Sequence, residues 1–174
     1  MSATVADAPV AALSEAMRAR FAREVAKYPA EGKQSAVIAC LTIVQQEQGW
    51  VSPAMEKAVA EYLGMPPIAV HEVTSFYNMF NQQPVGRFKL NVCTNLPCQL
   101  RGGAQALAYL EKTLGIVDGD TSSDGLFTLR HCECLGACAD APVMLVNDRS
   151  MCSFMSDDKL QQLVDGLKGA EVAP

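Results

Sequence analysis

Two stretches hold most of the cysteine in this sequence: "CTNLPCQLRGG" over 93–103 and "HCECLGACADAP" over 131–142. Cys93, Cys98, Cys132, Cys134 and Cys138 fall within them, while Cys40 and Cys152 stand apart. Clustered thiols can form disulfides, a redox dithiol, a zinc site or an iron–sulfur cluster. An odd count of seven in a chain of 174 residues is unlike a small secreted disulfide scaffold. A thioredoxin-type dithiol uses Cys-x-x-Cys at a helix N-terminus, and here Thr94, Asn95, Leu96 and Pro97 all separate the first pair. Structural zinc would tolerate the spacings of Cys93/Cys98 and Cys134/Cys138. It usually staples domains without a core, however, and this part of the chain has strands and helices of its own.

An iron–sulfur cluster fits best. With four thiolates such a cluster is an anion, more so once reduced, and it needs backbone N–H groups and shelter from water. Gly102 and Gly103 let the backbone approach closely at a helix N-terminus, where the dipole favours anions. Gly136 is read as doing the same between Cys134 and Cys138. Arg101 offers a positive charge, although a solvated helix residue explains it equally well. On the first side Cys93 and Cys98 are the candidates. On the second, Cys132 continues the alternation Thr128–Arg130–Cys132 and belongs to a strand, which leaves Cys134 and Cys138 to bracket a loop. The ligand set read from the residues is therefore Cys93, Cys98, Cys134 and Cys138. Cys40 lies on an apolar helical face and Cys152 in a strand, both structural. A Rieske centre needs two histidines on one iron; His71 falls in a helix of the first half and His131 is alone near the site, so each is read as an ordinary packed or surface residue.

The elements that must carry these loops change character near Pro84–Gly86. Before it, apolar residues recur at helical spacing. Met17, Phe21, Val25 and Tyr28 predict a first helix stopped by Pro29. Val37, Leu41 and Val44 predict a second over about 34–48, ended by Gly49. Ser52, Pro53 and Gly64 are the N-cap, first position and stop of a third. Val70, Val73, Tyr77 and Phe80 predict a fourth. These four helices are expected to bury Met17, Phe21, Tyr62, Phe76 and Phe80. After Gly86 the period becomes two: "RFKLNV" is a strand with Phe88, Leu90 and Val92 on one face. "LRGGAQALAYLEKTLG" reads as one helix with Leu100, Ala104, Leu107 and Leu114 inward. "GLFTLRH" is a second strand, "PVMLVND" and "SMCSF" a hairpin, and "SDDKLQQLVDGL" a closing helix capped by Ser156, with Leu160, Leu163, Val164 and Leu167 inward. Both cysteine stretches follow a strand end, so both loops are expected at one end of one sheet. The fold class is α+β: a flexible arm over 1–13, a helical bundle over 14–83, and a small mixed domain over 84–174 whose element order resembles thioredoxin.

A hydrophobic content of 49% supports a true core. A net charge of −5 without a long basic run gives nucleic-acid binding little support. No stretch reaches the roughly 18–20 apolar residues of a membrane span. "MSATVADAPVAAL" lacks the basic start of an export signal and carries Asp7 and Pro9, so a cytoplasmic location is expected. Neither G-x-G-x-x-G after a strand nor a P-loop occurs.

"CTNLPC" and "ECLGACADAP", with "FYNMFN" and "PVGRFKLNVC" upstream, resemble the thioredoxin-like [2Fe–2S] subunit of bacterial respiratory complex I, NADH:quinone oxidoreductase. The resemblance runs over about 14–168. It implies a [2Fe–2S] cluster on Cys93, Cys98, Cys134 and Cys138, with Cys132 outside the set. It also implies an electron-transfer subunit, not a complete enzyme, docked on a neighbour that binds FMN and NADH within the peripheral arm at the cytoplasmic face of the bacterial inner membrane. Soluble NAD-dependent formate dehydrogenases and hydrogenases contain similar small subunits, which keeps that assignment as the alternative. A zinc-stabilised interaction module is the reading from another class.

Overall fold

The structure, a computed structural model, describes residues 13–170. The arm expected over 1–13 lies, apart from Leu13, outside them. The chain divides into two compact units, Met1–Pro84 and Val85–Pro174.

The first unit is built from α1 (Glu15–Val25), a 3₁₀ turn (Ala30–Ala36), α2 (Val37–Gln48), α3 (Pro53–Leu63) and α4 (Pro67–Phe76). Local chemistry sets most of the boundaries. The hydroxyl oxygens of Ser14 and Ser52 accept from the amides of Met17 and Met55, at 3.0 and 3.3 Å, relieving the unpaired N–H groups of each first turn. Gly49 and Gly64 close α2 and α3 at φ of 80° and 66°, a conformation that costs a glycine little. Phe21, Cys40, Leu41, Val44, Met55, Val59, Leu63 and Val70 form a core with no accessible surface. Each large side chain among them is worth about 1.5–3 kcal/mol of burial.

The unit departs from its expected helices at three places. α1 ends at Val25, leaving Tyr28 outside the helix and exposed. The chain over 34–36 winds as 3₁₀ before α2 begins. α4 stops at Phe76, and Tyr77 is extended. Phe80 still reaches the core, through a turn and not along the helix. Gln45 holds that turn: its amide donates to the Met79 carbonyl at 2.8 Å and its oxygen accepts from the Asn81 N–H at 2.6 Å. Phe76, expected inside, is 77% exposed. His71 joins α3 to α4 through Nδ1, 3.0 Å from the buried Glu56 carboxylate, which also accepts from Thr74.

The second unit is a four-stranded sheet in the order β2-β1-β3-β4, from β1 (Phe88–Cys93), β2 (Phe127–Cys132), β3 (Met144–Val146) and β4 (Ser150–Cys152). β1 is parallel to β2 and antiparallel to β3, and β3–β4 is the expected hairpin. Leu90, Val92, Phe127, Leu129, Met144 and Val146 share a core with α6 (Gly103–Leu114) and α7 (Asp157–Gly169). Asn147 and Asp148 turn the hairpin at positive φ, which Asn and Asp tolerate. Asp148 also pairs with the buried Lys89 ammonium at 2.5 Å.

The long helix expected over 100–115 is two. α5 (Leu96–Leu100) ends at Arg101, and Gly102, at φ 98°, starts α6 in a new direction. The break changes the inward face: Ala106 and Leu110 are buried, Leu107 and Leu114 partly so, and Leu100 and Ala104 are exposed. Ser156 occupies the N-cap of α7 without a side-chain cap bond; Leu160 and Val164 are buried as expected, with Leu163 and Leu167 partly buried against the same core.

Candidate metal centre

Cys93 and Cys132 are the last residues of β1 and β2 and stand opposite each other in the parallel register. Parallel strands put like ends together, so both cysteine loops leave the sheet at one end. From Cys93 the chain passes Thr94 and Asn95 into α5, whose third residue is Cys98. From Cys132 it passes through Glu133 to Cys134, turns at Gly136 and enters a single 3₁₀ turn at Cys138.

The four expected ligands form two pairs. Cys93 and Cys98 are each 1% exposed and share one buried group. Ala141 and Val143 pack against them, with Leu135 and Ala137 of the second loop and half-buried Cys132 alongside. Cys134 and Cys138 are exposed, with Sγ atoms 3.7 Å apart. Cys138 and the buried pair lie within electrostatic reach of one another.

Backbone groups already face the sulfurs. The Gly136 N–H donates to Cys134 Sγ at 3.4 Å. Cys93 is fixed by its own N–H donating to the Val143 carbonyl at 3.1 Å. The glycines divide their work differently from expectation. A Cβ at Gly103 would sit 2.7 Å from the Cys93 carbonyl oxygen and 3.0 Å from the Cys98 carbonyl carbon, so the close approach is of α6 to the backbone carrying the thiols. Gly136 has open space around it and supplies a positive φ of 74°. Arg101 is an exposed residue at the end of α5.

Two features outside the sequence reading tie the loops together. Asn95 donates from Nδ2 to Glu133 at 2.9 Å, bridging the first loop to the second. The stretch Ala141–Val143 then closes over the buried pair. An Asn before "LPC" is a recognisable N-cap signal, but its side chain makes no cap bond and serves the bridge instead.

Crowded thiols resist ionisation. Burial pushes Cys98 up, its bond with Cys93 adds to this, and a bond from the Val143 backbone works against it. Cys138 is pushed up mainly by its bond with Cys134. Burial, then the neighbouring Cys93 and Cys98, push Cys132 up to about 12. Several thiolates can coexist here only with positive charge among them, which is what iron supplies. Among the described residues, no three His, Cys, Asp or Glu side chains gather as one metal ion would require. One buried pair and one exposed pair, the latter with sulfurs 3.7 Å apart, offer the four thiols that a two-iron group with cysteine ligands takes.

The sequence model of the thioredoxin-like [2Fe–2S] ferredoxins matches residues 21–168. The chain belongs to that family. Its cofactor is accordingly a [2Fe–2S] cluster. Among curated relatives, NADH-quinone oxidoreductase subunit 2 of Thermus thermophilus is 40% identical over 84% of this chain and 81% of its own length. A subunit of the NADH-quinone oxidoreductase of Rickettsia conorii is 40% identical over 83% of this chain and 86% of its own. A subunit of the same enzyme in Rhizobium meliloti is 39% identical over 89% and 90%. Among solved structures, an NAD⁺-reducing [NiFe]-hydrogenase in the air-oxidised state superposes with a TM-score of 0.68 at 20% identity, over 79% of this chain and 23% of that one. At that identity the likeness is one of fold. The chain is thus a thioredoxin-like ferredoxin with relatives among subunits of a quinone-reducing oxidoreductase.

Proposed function

We propose that Cys93, Cys98, Cys134 and Cys138 hold the [2Fe–2S] cluster and that the chain is the electron-transfer subunit of NADH-quinone oxidoreductase equivalent to these relatives, docked beside a partner subunit that carries FMN and binds NADH. The convergence of a buried and an exposed sulfur pair at one end of the β1–β2 pair carries this reading. When bound, the cluster takes up and returns one electron at a time. The chain's residues do the rest. Cys93 and Cys98 anchor one side away from water, with Ala141 and Val143 as apolar walls. Cys134 and Cys138 hold the other side at the surface, where an electron donor can approach, and the Gly136 N–H offsets negative charge on Cys134. Hydride donors deliver two electrons together, so a flavin on the partner must divide the pair. The relatives point to complex I as the host, and none of the described helices is long and apolar enough to cross a membrane. That suits a peripheral arm, placed by this reading on the cytoplasmic face of the inner membrane.

Anaerobically purified protein is expected to contain about two irons and two acid-labile sulfides per chain. It should be bleached by dithionite but not by NADH until the FMN-binding subunit is added. Stoichiometric zinc without sulfide, or rapid bleaching of the flavin-free chain by NADH, would refute the proposal.

A further inference from the structure

Cys132 is a fifth thiol that the four-ligand pattern leaves over. Strand register puts it directly opposite Cys93, and neighbouring strands lie about 4.7–4.9 Å apart. Alternation along both strands puts Lys89, Asn91 and Cys93 on the same face as Thr128, Arg130 and Cys132. The two side chains therefore lean out side by side. Cys132 packs, half-buried, against the buried group of Cys93, Cys98, Ala141 and Val143. Its position is held from the backbone as well, since its carbonyl accepts from the Thr94 N–H at 3.3 Å, across the gap between the loops.

A half-buried thiol packed against the buried group that contains Cys93, and level with Cys93 in the strand register, has one thing to offer a cluster held there, its S–H. Hydrogen bonds to the sulfurs are among the levers that set a cluster's potential. A donor aimed at a ligand sulfur favours the reduced state, which carries the extra negative charge. We propose that Cys132 is a positioning residue that donates its S–H to the Cys93 sulfur and raises the reduction potential of the cluster, an inference that rests on Cys93 being a ligand. Cys132 takes no iron in this arrangement. It remains a thiol in both oxidation states, so no bond to it forms or breaks when an electron arrives.

The test compares Cys132→Val, which keeps volume without a donor, with Cys132→Ser, which keeps a donor, in the full-length, cluster-loaded chain. The midpoint potential is read from the EPR signal during a redox titration. Cys132→Val is expected to keep its full iron and sulfide and to show a lower midpoint than the parent. Cys132→Ser is expected to restore the midpoint to the parent value or above it, and the g-values should move in the valine variant more than in the serine one. Equal midpoints in all three proteins, or equal shifts in both variants, would overturn the proposal. If valine prevents cluster assembly, Cys132→Ala takes its place in the comparison with serine. Loss of iron in the Ser, Ala and Val variants alike would make Cys132 a ligand and also overturn it. The reading of Cys93 as a ligand is tested separately by iron content in Cys93→Ser.

Discussion

The side-chain amide of Asn95 donates to the Glu133 carboxylate at 2.9 Å, and so fastens the loop that carries Cys98 to the loop that carries Cys134. The two residues are 38 positions apart in sequence and come together because β1 and β2 end at the same level. With the proposed ligands on two separate loops, the cluster is held only as firmly as the loops hold each other. Asn95→Ala removes an exposed hydrogen bond worth about 1 kcal/mol, which corresponds to roughly a fivefold faster loss of iron to a chelator. Asn95→Asp sets a second carboxylate against Glu133 and should be worse. Bleaching rates under excess chelator measure both, and an unchanged rate in Asn95→Asp would deny the bridge any role.

Cys134→Ser should cost most of the cluster, whereas Cys132→Ser should keep it. Cys134 follows the strand and pairs with Cys138 at 3.7 Å, while Cys132 is the last residue of the strand itself. Iron content and the EPR signal after dithionite reduction distinguish the two. A cluster stripped by Cys132→Ser and intact in Cys134→Ser would reverse the assignment.

The sequence exposes what depends on neighbours along the chain and conceals what depends on distant partners. Ser52, Pro53 and Gly64 mark α3 because capping is local chemistry. The cysteine spacing marks the ligand candidates for the same reason. Tyr77 and Phe80 keep a helical period beyond the end of α4. Their segment is instead shaped by Gln45, whose partner Asn81 is 36 positions away. Leu100 fits the apolar stripe expected of one helix, but the break at Arg101 and Gly102 turns the next helix and brings Ala106 and Leu110 inward. In the site, the bridge from Asn95 to Glu133 and the walls at Ala141 and Val143 arise from sheet pairing, which periodicity does not reveal.

Gly103→Ala should be severely damaging. The added Cβ would lie 2.7 Å from the Cys93 carbonyl oxygen and 3.0 Å from the Cys98 carbonyl carbon and oxygen, all backbone atoms that cannot swing away. Overpacking of this kind costs about 1–3 kcal/mol, and here the shift moves both buried thiols. Gly166→Ala is the control. It lies within α7 with open space about it, so alanine should stabilise by about 0.5–1 kcal/mol. Denaturation midpoints of the two variants should move in opposite directions, and only Gly103→Ala should lose cluster.

Alkaline pH probes the core of the helical unit through Cys40. The side chain has no accessible surface, and burial, with a smaller push from the charge of Glu24, raises its thiol from 9.0 to about 12. An unfolded chain ionises that thiol near pH 9, while the folded chain keeps its proton until about pH 12. Between those values the folded state binds more protons, so its stability must fall as pH rises. The contribution is intact below the lower value and is lost at up to about 1.4 kcal/mol per pH unit above it. Urea midpoints of the parent should therefore drop more steeply than those of Cys40→Ala from about pH 8 to about pH 11. The difference between the two proteins removes the contribution of the cysteines they share. The same burial should keep Cys40 unreactive toward iodoacetamide in the folded protein and open it on unfolding. Parallel pH profiles for parent and variant would show that the Cys40 thiol is not protected by the core.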